Sequence, residues 1–158
     1  MNSASLREVS LLCELTDEEL RIFAGLLNFH VAHEGERIVE KGEKIDAFYI
    51  VSKGAVIVRR KAQHEEVLLG RIGKGGYFGE MNLFGPGIAT ASVYARSDVT
   101  LASIAYESFR RFISENPKAG CKIMSSILSE TSNRLFQANE RYVAAIFWRS
   151  MDETPQES

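Results

Sequence analysis

Two hydrophobic periods follow one another along this chain, and the points where one replaces the other outline its architecture. Thr16 is followed by Asp17, Glu18 and Glu19, a capping-box arrangement that puts acids on the positive end of a helix. Leu20, Phe23, Ala24 and Leu27 then recur at helical spacing, which predicts a helix that buries one stripe. From Phe29 the pattern changes to short β-rich runs separated by glycine turns. The runs predict strands over Phe29 to Glu34, Arg37 to Glu40, Ala47 to Val51, Ala55 to Arg60, Val67 to Ile72, Ser92 to Ala95 and Thr100 to Ile104. Such a series is the signal for an all-β sandwich or roll. Pro86 falls in a Gly-Pro-Gly turn, where a strand would not tolerate it.

After Ala105 the helical period returns. Tyr106 to Ser114 carries Phe109, Phe112 and Ile113 and stops at Asn116-Pro117. A long helix is predicted from about Lys118 to Trp148. In heptads, Cys121, Leu128, Leu135 and Tyr142 share one position, and Met124, Thr131, Ala138 and Ala145 share the other. This mostly apolar seam runs over more than three heptads and points to helix pairing. Phe147 and Trp148 near its end either join an interface or pack on the roll. The polar tail over 152–158 is expected to be disordered.

Composition narrows the class of function. A chain of 158 residues suffices for one domain with a sizeable core. Its formal net charge is −2, and no long basic run marks a surface for tracking nucleic acid. No run approaches the roughly 20 apolar residues that span a bilayer. Neither a signal pattern nor a CxxC spacing is present. Cys13 and Cys121 therefore read as reduced thiols in a cytoplasmic protein. No Ser-His-Asp or Cys-His constellation, Walker loop or dinucleotide fingerprint is visible. In Gly73-Lys74-Gly75-Gly76 the lysine precedes the glycines instead of opening a helix, so the stretch reads as a strand connection.

The stretch from Gly76 to Val93, Gly-Tyr-Phe-Gly-Glu-Met-Asn-Leu-Phe-Gly-Pro-Gly-Ile-Ala-Thr-Ala-Ser-Val, resembles the phosphate-binding cassette of cyclic nucleotide-binding domains. That is the family of the catabolite activator protein and the protein-kinase regulatory subunits. Leu15-Thr16-Asp17-Glu18-Glu19-Leu20 is similar to the family's entry helix. Gly42-Glu43 and Phe48-Tyr49-Ile50-Val51-Ser52-Lys53-Gly54 are similar to its second and third strands. The resemblance runs from about Leu12 to Ala145. It implies a mainly β fold, a jelly roll or double-stranded β-helix, flanked by N-terminal helices and a long C-terminal helix. The expected limits are one domain over 1–151, with the roll at about 29–104 and the C-terminal helices at about 106–148.

The resemblance also implies a ligand, cAMP or cGMP, held by Phe78, Gly79, Glu80, Met81, Asn82, Ala89, Thr90 and Ala91. Glu80 stands where the family binds the ribose. By the resemblance, Gly79, Glu80 and Met81 open a short helix whose amides face the phosphate, and Gly79 lets the backbone come close. The family's phosphate-binding arginine falls on Ala89, and no arginine lies between Arg71 and Arg96. Arg71, Lys74 and Arg96 are the nearest substitute cations in sequence. The long helix supplies the family's base-facing lid. Matching its Arg-Leu pair to Arg134-Leu135 puts Ala138 and Asn139 at the base, whereas matching from Asn116-Pro117 puts Arg134 and Leu135 there.

These readings converge on a non-enzymatic regulatory or sensor module, a cytoplasmic homodimer through the long helix, with no nucleic acid or membrane partner. Only the tail follows Trp148, where the bacterial regulators carry a helix-turn-helix, so a stand-alone module is expected. The alternative is a degenerate domain that serves dimerisation or a protein partner, or takes a different small ligand. A metal enzyme of the cupin type, which shares the roll, needs clustered His and Glu. His30 and His33 are three apart and point to opposite faces of a strand, and His64 is remote in sequence.

Overall fold

The computed structural model describes residues 6–62, 65–83, 85 and 87–152. A 3-10 turn over Ser10–Leu12 precedes helix α1, Asp17–Ala24. Eight strands follow: β1 Asn28–Ala32, β2 Arg37–Val39, β3 Ala47–Lys53, β4 Ala55–Ala62, β5 Glu65–Gly73, β6 Tyr77–Phe78, β7 Ser92–Ala95 and β8 Val99–Ala105. A second 3-10 turn, Glu80–Asn82, lies between β6 and β7. Helix α2, Tyr106–Glu115, and helix α3, Pro117–Asp152, complete the described chain. The long helix thus runs through Asp152, one residue into the expected tail, and 153–158 lie outside the described residues. So do His64 and Pro86, and with Pro86 the centre of the expected Gly-Pro-Gly turn.

The strands form two antiparallel four-stranded sheets, ordered β1-β8-β3-β6 and β2-β7-β4-β5. Strand neighbours that are remote in sequence, such as β1 with β8, are the crossovers of a jelly roll. Alternation along β3 explains how the roll is filled. Val51 joins the buried cluster of Ala32, Val39, Ile45, Val56, Phe78, Ala89, Val93, Ala95, Val99 and Leu101, with Tyr49 packed against it. Its neighbours Phe48 and Ile50 point the other way and are fully buried too.

That outer face is covered by helices. Phe48 stacks on Phe109 of α2 at 5.9 Å, and Phe23 of α1 meets Phe109 and Phe112 edge-on at 6.3 and 5.3 Å. Offset and edge-on contacts of this kind are the favoured geometries for rings in a core. The Thr16 capping box forms as expected, with the Glu19 amide donating to the Thr16 hydroxyl and the Thr16 amide donating to the Glu19 carboxylate. Lys122 at the start of α3 donates to the same carboxylate at 2.9 Å.

By compactness the chain divides into two units, Met1–Ile123 and Met124–Ser158. The first holds the roll, α1, α2 and the opening of α3. The second is the remainder of α3, whose Leu128, Leu135, Phe136, Tyr142, Val143 and Phe147 are exposed. Phe147 and Trp148 are both exposed and meet edge-on at 6.0 Å. No helix among the described residues is long and apolar enough to cross a membrane.

Candidate functional site

The segment after β6 is shaped by its first glycine. Gly79 has φ 92°, a left-handed conformation, and a Cβ there would lie 2.9 Å from the Ala47 carbonyl oxygen. The chain then closes the 3-10 turn, with the Asn82 amide donating to the Gly79 carbonyl and the Leu83 amide to the Glu80 carbonyl. Glu80 and Asn82 face inward and are 9 % and 6 % exposed, while Met81 between them points to solvent. A carboxylate is rarely buried without a task or a partner.

The far end of the segment is sewn to the loop between β2 and β3. Ile45 donates to the Gly87 carbonyl, Ala89 donates to Glu43, and Gly42 donates to Ala89, at 2.8, 2.9 and 2.8 Å. Ala89 is 5 % exposed and belongs to the apolar cluster inside the roll. Thr90 is exposed and Ala91 half-buried. Phe78, at the entrance, lies flat against Tyr49 at 4.9 Å with 6° between the ring planes. Burial, with the Asp46 carboxylate nearby, holds the Tyr49 hydroxyl above its ordinary pKa.

Helix α2 closes one side. The Tyr106 hydroxyl donates to the Gly79 carbonyl at 2.7 Å, and the Arg110 Nη2 donates to the Leu83 carbonyl at 2.6 Å. Burial chiefly, then the nearby Tyr49, Glu80 and Asp46, push the Tyr106 hydroxyl well above the ordinary tyrosine range, so it remains a donor. A cavity of about 330 Å³ adjoins these contacts, lined among others by Asp46, Asn82, Gly87, Tyr106, Glu107 and Arg110.

The family model of the cyclic nucleotide-binding domain matches residues 29–116, the roll with its inserted turn and α2. The chain belongs to this family. It is 35% identical over 109 residues to the cAMP-dependent protein kinase type II regulatory subunit of Drosophila melanogaster, covering 68% of this chain and 29% of that protein. It is 30% identical over 128 residues to the cAMP-activated global transcriptional regulator CRP of Salmonella typhimurium, covering 80% and 59%. The chain therefore spans less than two thirds of these relatives. Among solved structures, a cyclic nucleotide-binding domain from Methylobacillus flagellatus superposes with a TM-score of 0.81 at 17% identity, covering 90% of this chain and 85% of that one. The catabolite activator protein of Thermus thermophilus superposes at 0.77 with 25% identity, covering 87% and 63%.

Within the cyclic nucleotide-binding domain, Phe78 to Asn82 and Ala89 to Ala91 lie at the two ends of one loop between β6 and β7, and of these Phe78 and Ala89 share the apolar cluster inside the roll. The three substitute cations are not brought to it. Lys74 pairs with Glu8, Arg96 pairs with Glu34 at 3.5 Å, and Arg71 stands exposed on β5 opposite Ile57. Arg134, Leu135, Ala138 and Asn139 lie on α3 in the second unit, where Arg134 pairs with Glu130 at 3.1 Å. His30 bonds Ser103 at 2.7 Å and His33 faces Asp98, so neither joins the loop. Sequence reasoning missed Tyr106 and Arg110. Their spacing of four on a helix directly after the roll was the available signal.

Proposed function

We propose that this cyclic nucleotide-binding domain is a non-enzymatic regulatory module that takes cAMP or cGMP at the loop over 79–91. The observation that carries the reading is the buried Glu80 carboxylate one residue after left-handed Gly79, at the head of the loop. In this reading Glu80 accepts from the ribose hydroxyl and the turn that follows Gly79 approaches the cyclic phosphate. Phe78 and Asn82 shape the entrance, and Thr90 offers its hydroxyl to the anion. Met81 and Ala91 border the ligand. Roll and helices form one functional domain over 1–151. The relatives' names, a kinase regulatory subunit and a cAMP-activated transcriptional regulator, support a sensor role. Two free, exposed cysteines suit a reducing cytoplasm.

Ala89 sets the expected strength. A charged hydrogen bond contributes roughly 1.5–3 kcal/mol, and about 1.4 kcal/mol is tenfold in affinity. A domain without its guanidinium should bind cAMP tens-fold more weakly, or worse, than one that has it.

Calorimetric titration of nucleotide-free protein with cAMP and with cGMP tests the reading. Binding in the micromolar range supports it. An absence of heat up to millimolar nucleotide overturns it in favour of a second reading. There the domain acts by contact alone, as a dimer or on a protein partner, through the exposed apolar residues of α3.

A further inference from the structure

Among the described residues the two sheets have four edge strands, and one is unlike the others. β1, β2 and β6 are five, three and two residues long, and short edges leave little backbone to pair. β5 is nine residues long, holds no proline, and pairs with β4 on one side only. At its centre Val67, Leu68 and Leu69 are 44%, 60% and 45% exposed. Neighbours in a strand face opposite sides, so this strand is uncovered on both faces as well as along its edge.

The outer part of the hairpin also lacks a third strand. β7 pairs with β4 only from Val56 to Arg59, so Arg60 to Ala62 and Glu65 to Val67 form a ribbon of two strands. Two strands alone are marginal in water. The sequence of β5 shows which strand would complete them. A two-fold axis normal to a sheet keeps every side chain on its own face. In an antiparallel pair of identical strands, one residue therefore stands opposite its own copy. Centred on Glu66, β5 would set a carboxylate against itself. Centred on Val67 it would set Glu65 against Leu69, and centred on Leu69 it would set Val67 against Arg71. Centred on Leu68 it sets Glu65 against Arg71 and Val67 against Leu69, each twice. Glu66, already paired with Arg59 at 3.3 Å, then faces Gly70. Of these registers, the one on Leu68 matches charge with opposite charge and apolar with apolar.

We propose that the open edge of β5 is a docking surface for a second copy of this chain, whose own β5 runs antiparallel to it with Leu68 at the centre. Two sheets of the order β2-β7-β4-β5 then become one continuous sheet. Backbone groups along the free edge gain partners, as in strand addition. On one face Val67, Leu69 and their copies form an apolar stripe, closed at each end by a Glu65–Arg71 pair. On the other face the two Leu68 side chains meet. The contact is one strand on each side, which puts it among the small, weak associations that form in concentrated protein. It requires neither a ligand at 79–91 nor α3.

Disulfide trapping on the full chain tests the register. The exposed native thiols are first removed by Cys13→Ser and Cys121→Ser. Residues directly opposite each other in an antiparallel pair have Cα atoms about 4.5–5.5 Å apart, within the span of a disulfide. Concentrated protein in glutathione disulfide should give a covalent dimer with Leu68→Cys. Leu69→Cys, whose own copy stands two residues further along the strand, should give about tenfold less or none. Arg71→Glu, added to Leu68→Cys, sets carboxylates against each other and should cut the yield about tenfold. Glu65→Arg added in turn should restore it, which a misfolded chain could not do. The crosslink should also survive Leu128→Glu with Tyr142→Glu on α3. Failure of Leu68→Cys to crosslink, or equal crosslinking by Leu69→Cys, overturns the pairing. So does a charge reversal that does not restore the yield, or a crosslink lost with the α3 substitutions.

Discussion

The amide of Ala89 donates to the carbonyl of Glu43 at 2.9 Å, so this backbone donor is committed inside the protein. Its methyl group is counted in the apolar interior of the roll. The position that the resemblance matches to the family's arginine is thus neutral, and its backbone is tied down. Ala89→Arg should raise affinity for cAMP by roughly tens-fold, following the worth of a charged hydrogen bond. Without nucleotide the same variant should be less stable by about 1–3 kcal/mol, because a long side chain is forced into a packed region. Calorimetry and urea unfolding read the two effects. Unaltered affinity would remove Ala89 from the anion-binding position.

Glu80→Ala separates ligand binding from assembly. It should abolish cyclic nucleotide binding and leave the oligomeric state as it was, read by calorimetry and sedimentation velocity. Binding retained in Glu80→Ala would place the ligand elsewhere.

Gly79 carries a steric demand independent of any ligand. Alanine there meets the Ala47 carbonyl at 2.9 Å and has to adopt φ near 92°. Gly79→Ala should lower stability by about 1–3 kcal/mol, measured by urea unfolding. A neutral result would mean that the turn relaxes freely.

Acid sensitivity should follow Glu19. The Thr16 amide and then the Lys122 ammonium hold its carboxyl below the ordinary value. A depressed carboxyl contributes stability above its unfolded pKa of about 4.3, and that contribution is lost as pH falls through the folded value. Lys122→Met should destabilise the protein at pH 7, and the difference should shrink at pH values below the normal carboxyl range. Unfolding curves at both pH values decide it. A deficit of equal size at both would point to packing, not charge.

Helix α3 carries the assembly reading. Leu128 and Tyr142 are 68% and 69% exposed and two heptads apart. The double substitution Leu128→Glu, Tyr142→Glu should convert a dimer to a monomer in sedimentation velocity with the roll still folded by circular dichroism. A wild-type chain that sediments as a monomer at high concentration would sink this reading.

The roll was legible because its strands alternate and its turns are punctuated by glycine. Strand limits suffered where polarity rather than burial governs pairing. The expected strands stopped at Arg60 and resumed at Val67, whereas β4 and β5 continue through Lys61 opposite Glu66, a stretch facing solvent that shows no apolar alternation. The two-residue strand Tyr77–Phe78 is too short to display any period. Glu80 and the loop around it were visible as a motif. The fate of the cations was not, since Lys74 meets Glu8 and Arg96 meets Glu34, partners some sixty residues away in the chain. Local spacing carries no information on such pairs.

That short strand has a consequence for packing. Adjacent residues of a strand face opposite sides, and Tyr77 touches Phe48 beneath the helices at 5.3 Å while Phe78 lies on Tyr49 within the roll. Tyr77–Phe78, paired with Tyr49 and Ile50 of β3, therefore joins two packing layers through adjacent residues, one ring filling the roll and the next filling the space under the helices.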